Sequence, residues 1–167
     1  TATPLQLAHA FSVFANEGSL QPVSLLALDG EQLPGDPVIA PDLAANVLQV
    51  LHRVTGENGT ARKARIPGYR VGGKTGTVHK VGAGGYLEDQ YVALFAGVAP
   101  IDNPRIVTVV VINEPKGEAH GGGSVAAPVF SRVVEGALRL LNVPPTEVEA
   151  VAMSHAPVEK LLKGGAA

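Results

Sequence analysis

The sequence has no cysteine and no tryptophan, and aromatic residues make up only 4% of it. Without cysteine, disulfides and thiolate metal sites are excluded. Charged residues are also scarce at 17%, with 13 basic against 15 acidic residues and a formal net charge of -2. That balance lacks the basic stripe a nucleic-acid surface needs. No apolar run approaches the roughly 18 residues of a membrane span, so no membrane contact is expected of this segment. No secretory signal is visible, and the chain opens on Thr1-Ala2-Thr3-Pro4 rather than methionine, which is read as an N-terminus other than the native one. The five histidines show no metal-ligand spacing, so no metal is expected.

What is present suits one domain or a large part of one: 167 residues, 46% of them hydrophobic. Thr3-Pro4-Leu5-Gln6 reads as a capped helix start, followed by Leu7, Ala10, Phe11 and Phe14 at helical spacing and stopped by Gly18. Ser19 to Leu28 is a strand candidate closed by Asp29-Gly30. Pro41 opens a second helix with the stripe Leu43, Val47, Val50, Leu51 and Val54. After a turn-rich loop from Thr55 to Gly68, Tyr69 to Val78 reads as a strand, with a glycine-rich connection from Val81 to Gly85. The segments Tyr91 to Ala99 and Ile106 to Ile112 are apolar on both faces, as strands covered on both sides are. Their short link, Pro100 to Pro104, fits an antiparallel hairpin and is too short for a parallel crossover. A last helix spans Ser124 to Leu141, with Ser124 as its cap and Ala126, Phe130, Val133, Val134, Ala137, Leu138 and Leu141 inward. The expected fold is α+β, a mostly antiparallel sheet with helices packed on it. Residues 142–167 read as a surface tail on a folded portion 1–141. Phe11, Phe14, Phe95 and Phe130 are expected in the core, His9 partly buried and hydrogen-bonded, and His52 on the surface.

The segment that carries chemistry is Gly72-Gly73-Lys74-Thr75-Gly76-Thr77. Lys74 supplies a fixed positive charge. In an extended strand Thr75 and Thr77 place both hydroxyls on one face, which can hold a carboxylate. The bare backbone at Gly76 lets a peptide lie along the strand edge. Gly68 with Gly73-Lys74-Thr75 also fits a phosphate-binding P-loop, but that motif must open a helix. Gly76, Gly82, Gly84 and Gly85 follow instead, so the nucleotide reading fails. Gly122-Gly123-Ser124 approaches a nucleophile elbow, but Ala126 stands where its second glycine is required.

Lys-Thr-Gly on a strand resembles one of the three motifs of penicillin-binding proteins and class A β-lactamases. The likeness extends further. Thr1-Ala2-Thr3-Pro4-Leu5-Gln6-Leu7-Ala8 resembles the helix that follows the first two motifs in class B penicillin-binding proteins. Gly59-Thr60-Ala61 with Ile66-Pro67-Gly68-Tyr69, then Phe95 to Pro100, Val109 to Pro115, Gly121-Gly122 and Ala126 to Phe130 resemble their later strands and final helix. The resemblance is greatest to the division-specific transpeptidases of Gram-negative bacteria. It implies a penicillin-binding-protein or β-lactamase-like transpeptidase domain that cross-links peptidoglycan stem peptides through an acyl-serine, without a cofactor. It further implies that Lys74, Thr75, Gly76 and Thr77 hold the stem peptide or a β-lactam. The Thr77 N–H would be an oxyanion-hole donor and Tyr91 a cleft wall. Partners implied are the N-terminal remainder of the same domain and divisome proteins, on the periplasmic side of the inner membrane.

Two motifs are absent. The six serines, at 12, 19, 24, 124, 131 and 154, have no lysine three residues on and no asparagine two residues on. The expectation is a fragment whose nucleophile lies outside this chain. The alternatives are a non-catalytic muropeptide- or divisome-binding module, or a D,D-carboxypeptidase or β-lactamase relative. The loop Lys116 to Gly122 also departs from the family, carrying Ala119-His120 where aromatic residues often stand.

Overall fold

A computed structural model of the chain describes residues 2–26, 33–82 and 84–146. Helix α1 (Pro4–Ala15) opens with the expected capping box: the Gln6 amide donates to the Thr3 hydroxyl at 3.1 Å, and the Thr3 amide donates to the Gln6 side chain at 2.8 Å. It ends where expected, at Gly18 with φ 86°. The long strand expected from Ser19 is reduced to β1 (Ser19–Leu20), paired antiparallel with β2 (Asp36–Pro37). Leu25 and Leu26 are 96% and 81% exposed, so among the described residues this segment has no covering layer to make it a core strand; residues 27 and 28 of the expected strand lie outside them. The Asp29-Gly30 turn lies outside the described residues.

Helix α2 (Pro41–His52) buries Ala44 and Leu48, while Leu43 and Val50 are 51% and 61% exposed. The expected stripe is therefore rotated, because small Ala44 permits the closest approach and apolar character alone did not mark it. His52, expected on the surface, is half-buried, and its Nδ1 donates to the Val71 carbonyl at 2.8 Å. His9 is partly buried as expected, with Nε2 2.6 Å from the Gln21 carbonyl.

The main sheet has three antiparallel strands in the order β3 (Gly72–Gly82), β4 (Gly85–Ala99), β5 (Ile106–Asn113). The strand expected over Tyr69 to Val78 starts later and runs on through Val81, since β3 and β4 continue pairing up to Gly82 and Gly85. The register shifts between His79 and Val81. Strand β4 is buried from Phe95 to Ala99, whereas β5 is half-buried, with Val111 40% exposed. Helices α1 and α4 both pack against β5, so the expected cover on both faces holds for both strands, though β5 is the less deeply buried.

The last helix is two: α3 (Gly122–Val125), capped by Gly121, and α4 (Ala127–Leu140), meeting at Ala126. Ser124 lies inside α3 and is not its cap. On α4, Phe130, Val134 and Leu138 are fully buried, but Val133 and Leu141 are 54% and 52% exposed. The buried stripe is narrower than the apolar one. The core forms where α4 meets the sheet, with the Phe95 and Phe130 rings edge-to-face and centroids 4.8 Å apart. Phe11 and Phe14 are only half-buried. Of the expected tail 142–167, residues 147–167 lie outside the described residues, and residues 143–146 are docked. Val143 is 9% exposed, its carbonyl accepts from the Tyr69 hydroxyl at 2.6 Å, and the Thr146 amide donates to the Gly68 carbonyl at 2.9 Å.

Candidate functional site

Strand β3 is an edge of the sheet, with β4 on one side and no strand on the other among the described residues. Its direction of hydrogen bonding follows from a neighbour. The Glu114 amide donates to the Tyr91 carbonyl at 2.8 Å, so Tyr91 turns its backbone groups toward the β5 side. Backbone direction alternates along an antiparallel strand, so Ala93 turns the same way. Ala93 faces Thr77 in the register, and Phe95 faces Thr75. The backbone groups of Thr75 and Thr77 therefore point to the free edge. Consistent with this, the Thr75 carbonyl accepts from the Lys74 ammonium at 2.8 Å.

The side chains alternate as well. Thr75 and Thr77 lie on the face covered by α4, and the exposed Lys74 lies on the other. Both hydroxyls are already engaged. Thr75 Oγ1 is 3.2 Å from Thr60 Oγ1, and Thr77 Oγ1 accepts from the Gly122 amide at 3.0 Å. Gly122 rests directly on the sheet: a Cβ there would fall 2.2 Å from the Leu94 carbonyl oxygen and 2.6 Å from that of Gly76. Only glycine lets the start of α3 come this close. At Gly76 the missing side chain has an internal use in addition to the expected one, since a Cβ would meet the Leu94 side chain at 2.8 Å.

Beyond Thr77 the same face continues as aromatic surface. The rings of His79 and Tyr91 are 4.5 Å apart, and His120 stacks on Tyr91 at 4.1 Å with 14° between planes. Tyr91, half-buried, thus lies between two exposed imidazoles. Glu114 has φ 51° where the chain leaves β5, and its carboxylate pairs with Lys80 and lies 3.7 Å from Lys116. The hydrogen bond from Lys80, then its charge, holds the Glu114 carboxyl below the usual glutamate range. A cavity of about 450 Å³ between His52, Thr55, Arg65 and Tyr69 opens beside Val71, before β3 begins.

The fold therefore brings together Lys74, Thr75, Gly76, Thr77 and Tyr91, all named from the sequence. It adds Thr60, Glu114, Lys80 and the Gly122 amide, which sequence reasoning missed as site residues. Thr60 stood in a stretch noted only for its likeness to an approach segment, and nothing local marked Lys80 or Glu114. The arrangement is an open strand edge with two hydroxyls on one face and an ammonium beside them, set on an α+β domain.

Over residues 1–135 the sequence matches the penicillin binding protein transpeptidase domain. The chain belongs to that family. It is 40% identical over 144 residues to the probable peptidoglycan D,D-transpeptidase PbpC of Pseudomonas aeruginosa, covering 86% of this chain and 25% of that protein. It is likewise 40% identical over 143 residues to the peptidoglycan D,D-transpeptidase FtsI of Escherichia coli, covering 86% of this chain and 24% of that protein. Among solved structures, the transpeptidase domain of Burkholderia pseudomallei penicillin-binding protein 3 superposes with a TM-score of 0.80 at 43% identity, covering 86% of this chain and 44% of that one. The chain spans about a quarter of the length of these curated relatives.

Proposed function

We propose that this chain is the substrate-clamping part of a peptidoglycan D,D-transpeptidase acting in septal wall synthesis, whose acylated serine lies outside it. The observation that carries the reading is the free edge of β3. Thr75 and Thr77 turn their backbone groups outward there, their hydroxyls share a face, and Lys74 stands beside them. A D-alanyl stem peptide, or a β-lactam of similar shape, would add along that edge with its carboxylate on the threonine hydroxyls. The outward Thr77 N–H would donate to the oxyanion of the acyl transfer, a contact typically worth a few kcal/mol in the transition state. The two hydroxyl contacts seen now, to Thr60 and Gly122, hold both side chains in one rotamer before a ligand arrives, which lowers the cost of ordering them.

The names of the relatives support the reaction class, and their greater length gives room for the serine and its activating lysine. Exposed Leu5 on α1, with Leu43 and Val50 on α2, supports cover by the remaining part of the domain. The relatives' role in wall synthesis supports a site on the periplasmic side, with stem peptides and divisome proteins as partners. The test is a denaturing intact-mass spectrum of the full-length protein with and without benzylpenicillin. An adduct mapping to a serine outside these residues is expected. A full-length protein that takes no adduct while binding muropeptides would instead establish a non-catalytic module.

A further inference from the structure

Beside the stack beyond Thr77 lies an ion pair that the clamp chemistry does not account for. Lys80 sits where the β3–β4 register slips, between His79 and Val81. Its ammonium reaches past β4 to Glu114 at the end of β5. Glu114 is the residue at which the chain leaves the sheet. Its amide makes a ladder bond to Tyr91 at 2.8 Å, and its φ of 51° then turns the chain into the loop that carries His120. A left-handed conformation at a glutamate is unfavourable and persists only where surrounding contacts hold it. Here those contacts are the Lys80 ion pair, the nearby Lys116 ammonium and the bond to Tyr91. Six residues later the loop returns to lay the His120 ring on that same Tyr91.

We propose that Glu114, held by Lys80, is a positioning residue: it aims the 114–121 loop so that His120 covers Tyr91, and so shapes the flat surface that receives the part of a ligand extending past Thr77. The ligand portion that suits this surface is planar and uncharged, an amide or an aromatic ring, because it meets imidazole and phenol faces. The ligand half of this inference rests on the clamp reading of Lys74 to Thr77. The loop-positioning half does not. Because the stack touches a part of the ligand remote from the reacting atoms, it contributes to binding before chemistry and during it alike.

The experiment uses the full-length protein with Lys80→Met, Lys80→Arg and Glu114→Asn. Asparagine tolerates the left-handed backbone and removes the carboxylate. Histidine-selective NMR reads the ring-current shift of His120, identified by its loss in His120→Gln. Stopped-flow acylation by benzylpenicillin separates the half-saturating concentration from the limiting rate. Lys80→Met and Glu114→Asn should move the His120 signal toward that of a free imidazole. They should raise the half-saturating concentration on the order of tenfold and leave the limiting rate unchanged. Lys80→Arg should restore both readings. A His120 signal unmoved in Lys80→Met and Glu114→Asn overturns the positioning role, whether or not the protein acylates. A moved signal with unchanged half-saturation overturns the ligand half alone. An unaltered protein that does not acylate overturns the transpeptidase reading and leaves the NMR test standing.

Discussion

The amide of Gly122 donates to the hydroxyl of Thr77 across 3.0 Å, joining residues 45 apart in the chain. This bond ties the start of α3 to the clamp strand. It can form only because Gly122 lies flat on the β3–β4 backbone, where any side chain would meet carbonyl oxygens.

Gly122→Ala should therefore damage the clamp and the fold together. The new methyl cannot be placed without moving α3 or the sheet, a cost of about 1–3 kcal/mol for overpacking. Thermal melts of the full-length protein should fall accordingly, and acylation by benzylpenicillin should slow on the order of tenfold as the Thr77 rotamer is released. Wild-type acylation in the alanine variant would show that the contact is dispensable.

Thr77→Val tests the hydroxyl with the shape conserved. The partly buried Gly122 amide loses its acceptor, at a cost of about 1 kcal/mol. Ligand affinity should drop as well, since the carboxylate loses a donor. Thr77→Ser keeps the oxygen and should keep most of the binding. Equal affinities of the valine and serine variants for benzylpenicillin, measured by acylation at limiting drug, would remove the hydroxyl from the site.

Lys74→Ala should separate function from stability. Lys74 is exposed and, among the described residues, its ammonium bonds only the neighbouring Thr75 carbonyl, so the change in stability should stay within the small range of surface substitutions, about 0.5 kcal/mol. Acylation by benzylpenicillin in the full-length protein should fall at least about tenfold, as expected for loss of the positive charge that Lys74 brings to the strand edge beside the Thr75 carbonyl. Unchanged acylation would place the ligand elsewhere.

The Lys80–Glu114 pair should show a pH dependence of definite sign. The hydrogen bond and charge of Lys80 lower the folded-state value of Glu114, so the carboxylate binds its proton less readily folded than unfolded. Its contribution is complete above the ordinary glutamate range and is lost as pH falls through the lowered value. Melting curves of wild type and Lys80→Met should thus differ by the same amount throughout neutral pH and converge in acid as pH falls through and below the ordinary glutamate range. A difference that grows on acidification would contradict the assigned direction.

The features legible in the sequence are those written in consecutive residues. The Thr3-to-Gln6 capping box, the Gly18 stop, the hairpin from Tyr91 to Ile112 and the shared face of Thr75 and Thr77 each follow from local geometry. Burial was read less well. Leu43, Val50, Val133 and Leu141 are apolar yet exposed, while Ala44 is buried, because the helix faces that meet the sheet are chosen by closeness of approach. The stretch after Leu20 read as strand from its composition, but a strand needs a partner and, among the described residues, β1 has one for only two residues.

The sequence by itself determined the faces of the candidate site: a lysine, two threonines and a glycine at successive positions specify their own faces in any extended strand, since side-chain direction has a period of two. It also determined the family, through motifs spread from Thr1 to Phe130. Only the tertiary structure decided what holds the clamp in place. Thr60 meets Thr75, Gly122 meets Thr77, Lys80 meets Glu114, and His120 meets Tyr91, each across 15 or more residues. No local preference encodes such pairs. They exist because α4 packs on Phe95, sets α3 on the sheet and returns the preceding loop to Tyr91 in the middle of β4, so their geometry belongs to the assembled layers.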